Sequence, residues 1–157
     1  MSTIPVLTLA DYVLSSYGPM SQLKLQKLLY YCEAYHLANF DTNLLNENFE
    51  AWLHGPVCPE VFHELKGQSL LYSDIAYTKG GNPKDEVVKI LTSEQFDFIT
   101  LVLEDLSTWT GPELERSTHS EKPWVEARIG YGEADRCNVV IGKESMKIYY
   151  KAELNGF

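Results

Sequence analysis

The densest run of apolar positions is SQLKLQKLLYYCEAYHLANF, residues 21–40. Leu25, Leu28, Leu29, Cys32 and His36 recur at the helical period and share one face, and Tyr30, Tyr31, Ala34 and Leu37 cover much of the rest. Its clearly polar positions are Lys24, Gln26, Lys27 and Glu33. A helix this apolar on nearly every side belongs at the centre of a core, and Ser21 is placed to cap it.

Around that helix the pattern predicts shorter elements. Thr8-Leu9-Ala10-Asp11 has the form of a capping box, so a helix with Thr8 as N-cap should run to about Ser16 and stop at Gly18-Pro19. Residues 39–48 read as a polar loop. Phe49–His54 reads as a strand, and Pro56 or Pro59 opens a helix to Lys66 with Val57, Val61 and Leu65 four apart. Gly80-Gly81-Asn82-Pro83 marks a loop, with short strands predicted at 75–78 and 86–91. Thr92-Ser93-Glu94-Gln95 caps a helix to about Ser107, whose seam is Phe96, Ile99, Leu103 and Leu106. Thr110-Gly111-Pro112-Glu113 caps another to about Thr118. Pro123–Arg128 predicts a helical turn, and Met146, Tyr149 and Tyr150 lie at helical spacing in the tail. The chain has no internal repeat, low-complexity tract or linker. The expected fold is α+β and mainly α-helical, a compact helical domain with a small antiparallel sheet, built from residues 1–157 as one domain.

One segment interrupts the helical pattern sharply. Residues 51–62 read AWLHGPVCPEVF. Gly55-Pro56 forces a break, because proline fixes φ and removes a donor while glycine permits unusual backbone angles. Trp52 and His54 stand two apart, so on a continuous strand both point to one face.

Charge and cysteine content narrow the function classes. Thirteen basic against 22 acidic residues give a net charge of −9. That balance repels phosphate and disfavours nucleic-acid binding, while a basic protein partner suits it electrostatically. Cys32, Cys58 and Cys137 are odd in number and form no CxxC pair, as expected of reduced thiols in a cytoplasmic protein. The N-terminus has no secretory pattern and no stretch is long enough to span a membrane.

Candidate chemistry is sparse. His54, Cys58 and His63 form the tightest His/Cys cluster, without the spacing of a zinc site, so no metal or cofactor is expected. No GxSxG elbow, P-loop or GxGxxG loop is present. Cys58 or Ser120 paired with His119 is the remaining nucleophile–base combination, and no catalytic residue is assigned. Glu113 and Glu115 fall on different helix faces and read as solvated charge. In LERSTHSEKPW, residues 114–124, His119 lies at a helix end where its ring can meet free carbonyls, and Pro123-Trp124 restarts the chain. The functional reading of these segments is a polar cleft in which His119 and Trp124 sit beside His54 and Trp52.

Taken in order, LKLQKLLYY at 23–31, the Trp–Gly-Pro-Val–Pro-Glu-Val-Phe block at 51–62, and Thr118-His119 with Pro123-Trp124 resemble the Panacea domain. This family is also described as SocA-like antitoxins, or the GepA family of bacterial and phage proteins. Leu53-His54 departs from the aromatic or basic residue common at that place. The resemblance implies a non-enzymatic antitoxin that neutralises a cognate toxin by direct binding, with some members acting as adaptors to a cellular protease. The residues expected to bind the partner are Lys24, Lys27, Trp52, His54, His119 and Trp124. Two other readings remain: a prophage-encoded protein that binds a host factor, and a small Cys/His-dependent hydrolase.

Overall fold

The computed structural model describes residues 1–155. Its elements, in chain order, are α1 (Val6–Tyr17), β1 (Met20–Ser21), α2 (Gln22–Phe40), β2 (Glu50–Trp52), β3 (Gly55–Val57) and α3 (Pro59–Leu65). They continue with β4 (Asp74–Ile75), α4 (Pro83–Ile90), α5 (Ser93–Leu106), α6 (Gly111–His119), α7 (Lys122–Ala127) and α8 (Lys143–Leu154). The fold is mainly helical α+β. Its strands form two antiparallel pairs, β1 with β4 and β2 with β3.

α2 occupies the centre, packed by α1, α5, α6, α8 and β3. Ser21 Oγ accepts the Lys24 backbone N–H and starts it, as expected of this cap. Leu25, Leu28, Leu29, Tyr30, Cys32 and Ala34 are wholly buried. Each fully buried large apolar side chain stabilises the fold by about 1.5–3 kcal/mol before entropic costs. The polar positions of α2 are buried too: Gln22, Gln26, Lys27, Glu33 and His36 have no more than 1% exposure. They differ from the solvated residues their type suggests because each meets a backbone group of another segment. Glu33, for example, accepts the N–H groups of Leu44 and Leu45 and the ammonium of Lys143.

Several boundaries differ from expectation. α1 begins at Val6 after Pro5, and Thr8 lies inside it, because Val6, Leu9, Ala10 and Val13 form one buried stripe. α2 ends at Phe40 as its apolar run predicts, so the loop starts after residue 40 and not at 39, and Leu44, Leu45 and Phe49 turn from it into the core. The strand predicted at 86–91 is helix α4. Asn82 Oδ1 caps it, Pro83 takes the first helical position, and Val87 and Leu91 bury one turn apart. The strand expected at 75–78 is confined to Asp74–Ile75 and pairs with Met20–Ser21. The boxes at Thr92 and Thr110 both form as predicted.

The largest correction concerns Gly55-Pro56. These residues do not stop the chain; they start the second strand of a hairpin, with Trp52 opposite Gly55 and Ala51 opposite Pro56. Proline is tolerated there because Ala51 directs its own groups away from β3: its N–H goes to Val139 O, and its carbonyl accepts from Arg128. Leu53 and His54 form the two-residue turn, so His54 does not share a strand face with Trp52. α3 then starts at Pro59, the later of the two possible prolines, and Val57 belongs to β3.

Candidate binding site

The β2–β3 hairpin is held from below by polar groups of distant segments. Lys27, fully buried on α2, donates from Nζ to Pro56 O at 3.0 Å. Next to it on α2, Gln26 clamps Cys58, accepting its N–H at 2.9 Å and donating to its carbonyl at 3.3 Å. Trp124 donates from Nε1 to Trp52 O at 2.9 Å, and Arg128 donates from Nη1 to Ala51 O at 2.8 Å. Gly55 has φ +102, and a Cβ there would stand 2.4 Å from Lys27 Cε and 3.0 Å from Thr118 Oγ1. Only glycine lets the hairpin lie this close to α2 and α6.

His119 stacks on Trp124 with ring centroids 4.1 Å apart and planes 19° from parallel. The Arg128 guanidinium lies 5.0 Å from the Trp124 ring centroid. His119 Nε2 is buried without a hydrogen-bond partner, so the ring does not meet helix carbonyls through that nitrogen. Burial holds the His119 pKa below the usual histidine value; Glu115 opposes this, and Lys27 and His54 reinforce it. Burial also lowers Lys27 to about 7, with Glu115 again opposing.

Five of the six residues expected at a binding site thus surround one hairpin. Trp52 and His54 belong to its strand end and turn, and Lys27, His119 and Trp124 lie beneath or beside it. Glu115, expected to be solvated, is half-buried and places Oε2 3.4 Å from His54 Nδ1. Lys24 points elsewhere, donating to Ser107 O at 2.6 Å beyond the end of α5. The tight His/Cys cluster dissolves. Cys58 is the buried N-cap of α3, its thiol pushed up to about 12 by burial, which leaves little thiolate. His63 is exposed and meets Phe62 edge to face.

On its outer side the hairpin borders a groove of about 730 Å³. Trp52, Leu53 and Val57 form one wall, Phe62, Leu70 and Leu71 the next, and Arg136–Asn138 close it. Trp52 and Phe62 pack edge to face at 5.0 Å, and Leu70 and Tyr72 are 66% and 67% exposed. Sequence reasoning missed Leu53, Phe62, Leu70, Leu71 and Arg128 as site residues. The one available signal was the unbroken apolar pair Leu70-Leu71 inside an otherwise polar loop.

Most of the residues that build and support this hairpin fall within a recognised family region. A family model described as "Antitoxin SocA-like, Panacea domain" matches residues 25–125, more than half of the chain. The chain belongs to this family. The match begins in α2 and ends in α7, so the Panacea region contains Lys27, the hairpin, His119 and Trp124. Arg128, the far wall of the groove and α8 lie outside it. No curated protein and no solved structure matches the chain significantly. No described helix is long and apolar enough to cross a membrane.

Proposed function

We propose that this Panacea protein is an antitoxin that neutralises a cognate toxin by direct, non-enzymatic binding, and that the hairpin groove is the binding surface. One observation carries the reading: in a member of an antitoxin family, a rigidly braced hairpin borders an open, largely apolar groove of about 730 Å³. Preorganised apolar concavities with a few polar groups suit recognition, because little ordering entropy is lost on binding. Trp52 and His54 reach the partner directly. Lys27, His119 and Trp124 act one layer deeper by fixing the hairpin, and Lys24 joins α2 to the end of α5. The whole chain serves as one domain, since α8 packs along α2 and its Tyr150 hydroxyl joins Tyr30 and Glu121 in the core.

The test is growth of cells expressing the neighbouring gene with and without this chain. Rescue together with co-purification of the two proteins supports direct neutralisation. Rescue with a falling toxin level and no complex instead marks delivery to a protease. A Leu53→Asp, Leu70→Asp double variant should lose rescue while keeping its melting temperature, since both side chains project into the groove and neither belongs to the buried core.

A further inference from the structure

A second concavity is built in part from the same two elements as the groove, β2 and α3, and differs from it in chemistry. It has a volume of about 420 Å³ and is lined by Glu47, Glu50 and Glu60 together with Asn46, Asn48, Pro59 and Val140. Three of its seven lining residues are carboxylates and none is basic. Glu47 Oε1 is buried there without a hydrogen-bond partner, an unfavourable arrangement that an incoming donor relieves. β2 and α3 each contribute residues to both spaces. Glu50 and Trp52 are two residues apart on β2, and Glu50 Oε1 accepts the Trp52 indole N–H at 2.8 Å. Glu60 and Phe62 repeat the same order on α3, acid toward one space and aromatic toward the other.

Resting on the proposed role of the groove, we infer that the occupant is a short amphipathic segment of the partner. Its large apolar side chains lie in the groove, and a flanking Lys or Arg enters the acidic cavity between Glu47, Glu50 and Glu60. Charge complementarity sets this choice. The cavity concentrates negative charge within a chain of net charge −9, and a guanidinium or ammonium supplies donors to a carboxylate oxygen that has none. The Glu50–Trp52 hydrogen bond fixes the spacing between the two parts, so the segment is read for both features at once.

The probe is a display library of random short peptides selected on the intact chain. Enriched peptides should share a Lys or Arg beside two or more large apolar residues. A synthesised winner should bind about tenfold more weakly to a Glu47→Gln, Glu60→Gln variant, and its affinity should fall with added salt. Replacing its basic residue by norleucine should reproduce the loss on the wild-type chain and cause no further loss on the variant. No enrichment, enrichment of purely apolar peptides, or winners indifferent to both glutamine changes would overturn the inference. So would dimerisation that the same glutamine changes abolish, which would assign the surface to a second copy. Growth rescue by the Glu47→Gln, Glu60→Gln variant separates the two levels of the account. Rescue at wild-type strength removes the basic anchor and leaves the antitoxin role standing, whereas failure of the wild-type chain itself to rescue removes the role.

Discussion

Trp124 donates its indole N–H to the carbonyl oxygen of Trp52 at 2.9 Å, across 72 residues of chain. The bond ties α7 to the end of β2 and fixes the turn that carries His54. A Trp124→Phe variant keeps an aromatic plate for His119 but leaves the Trp52 carbonyl without this donor. It should cost about 1–2 kcal/mol in urea unfolding. In the complex it should raise the partner's dissociation rate, because the hairpin is no longer held in one geometry. Unchanged stability would show that water replaces the indole.

Gly55 and Gly81 both have positive φ, +102 and +73, but only Gly55 is crowded. Alanine at Gly81 meets nothing within 4 Å, whereas at Gly55 it meets Lys27 Cε at 2.4 Å. Gly81→Ala should cost only its backbone strain, about 1 kcal/mol. Gly55→Ala should cost clearly more, about 2–3 kcal/mol, and should loosen the hairpin. Equal losses measured by chemical unfolding would contradict the close packing of hairpin on lysine.

Lys27 makes stability depend on pH. In the unfolded chain a lysine stays protonated to about pH 10. In the fold, burial lowers Lys27 to about 7, so between these values the unfolded chain binds a proton the folded chain lacks. The contribution of this residue therefore becomes more favourable as pH rises from 7 toward 10 and is least favourable below 7. A Lys27→Met variant removes the effect. Its melting temperature relative to wild type should be highest below about pH 7 and should decline toward about pH 9. A difference that does not move with pH would mean the ammonium stays charged in the core.

Glu121 behaves in the opposite sense. Its Oε1 accepts the hydroxyls of Tyr31 and Tyr150, each at 2.7 Å, and its Oε2 accepts Ser117 Oγ at 3.1 Å. Burial raises its pKa above the usual glutamate value, although these three hydrogen bonds pull it down. A raised folded pKa gives stability that is present below the unfolded value, about 4.3, and is lost as pH rises through the folded value. Glu121→Gln keeps the Oε1 acceptor and carries no charge. Its melting temperature relative to wild type should therefore increase from acid to neutral pH.

Much of the fold was legible because local chemistry and burial agree. Ser21, Thr92 and Thr110 cap the helices that follow them, and the apolar periodicity of residues 21–40 places α2 at the centre. Errors arose where a residue serves a distant partner. Gly55-Pro56 reads locally as a break, but Ala51 directs its hydrogen bonds to Val139 and Arg128, which frees Pro56 to lie in a strand. Lys27 and Gln26 read only as polar positions on an apolar helix, with Lys27 expected at the partner; instead both are buried supports of the hairpin. At the site, Trp52, His54, His119 and Trp124 were visible as unusual residues in short blocks. The groove was not, since Phe62, Leu70 and Leu71 come together only after α3 and the following loop fold against the hairpin.

Hydrogen exchange on the chain alone and bound to its co-purified toxin tests the central claim most directly. The account predicts new protection at the hairpin turn, at residues 68–72 and at 136–138, with α4 and α5 unchanged. Protection confined to α4 and α5, or no stable complex to measure, would contradict it.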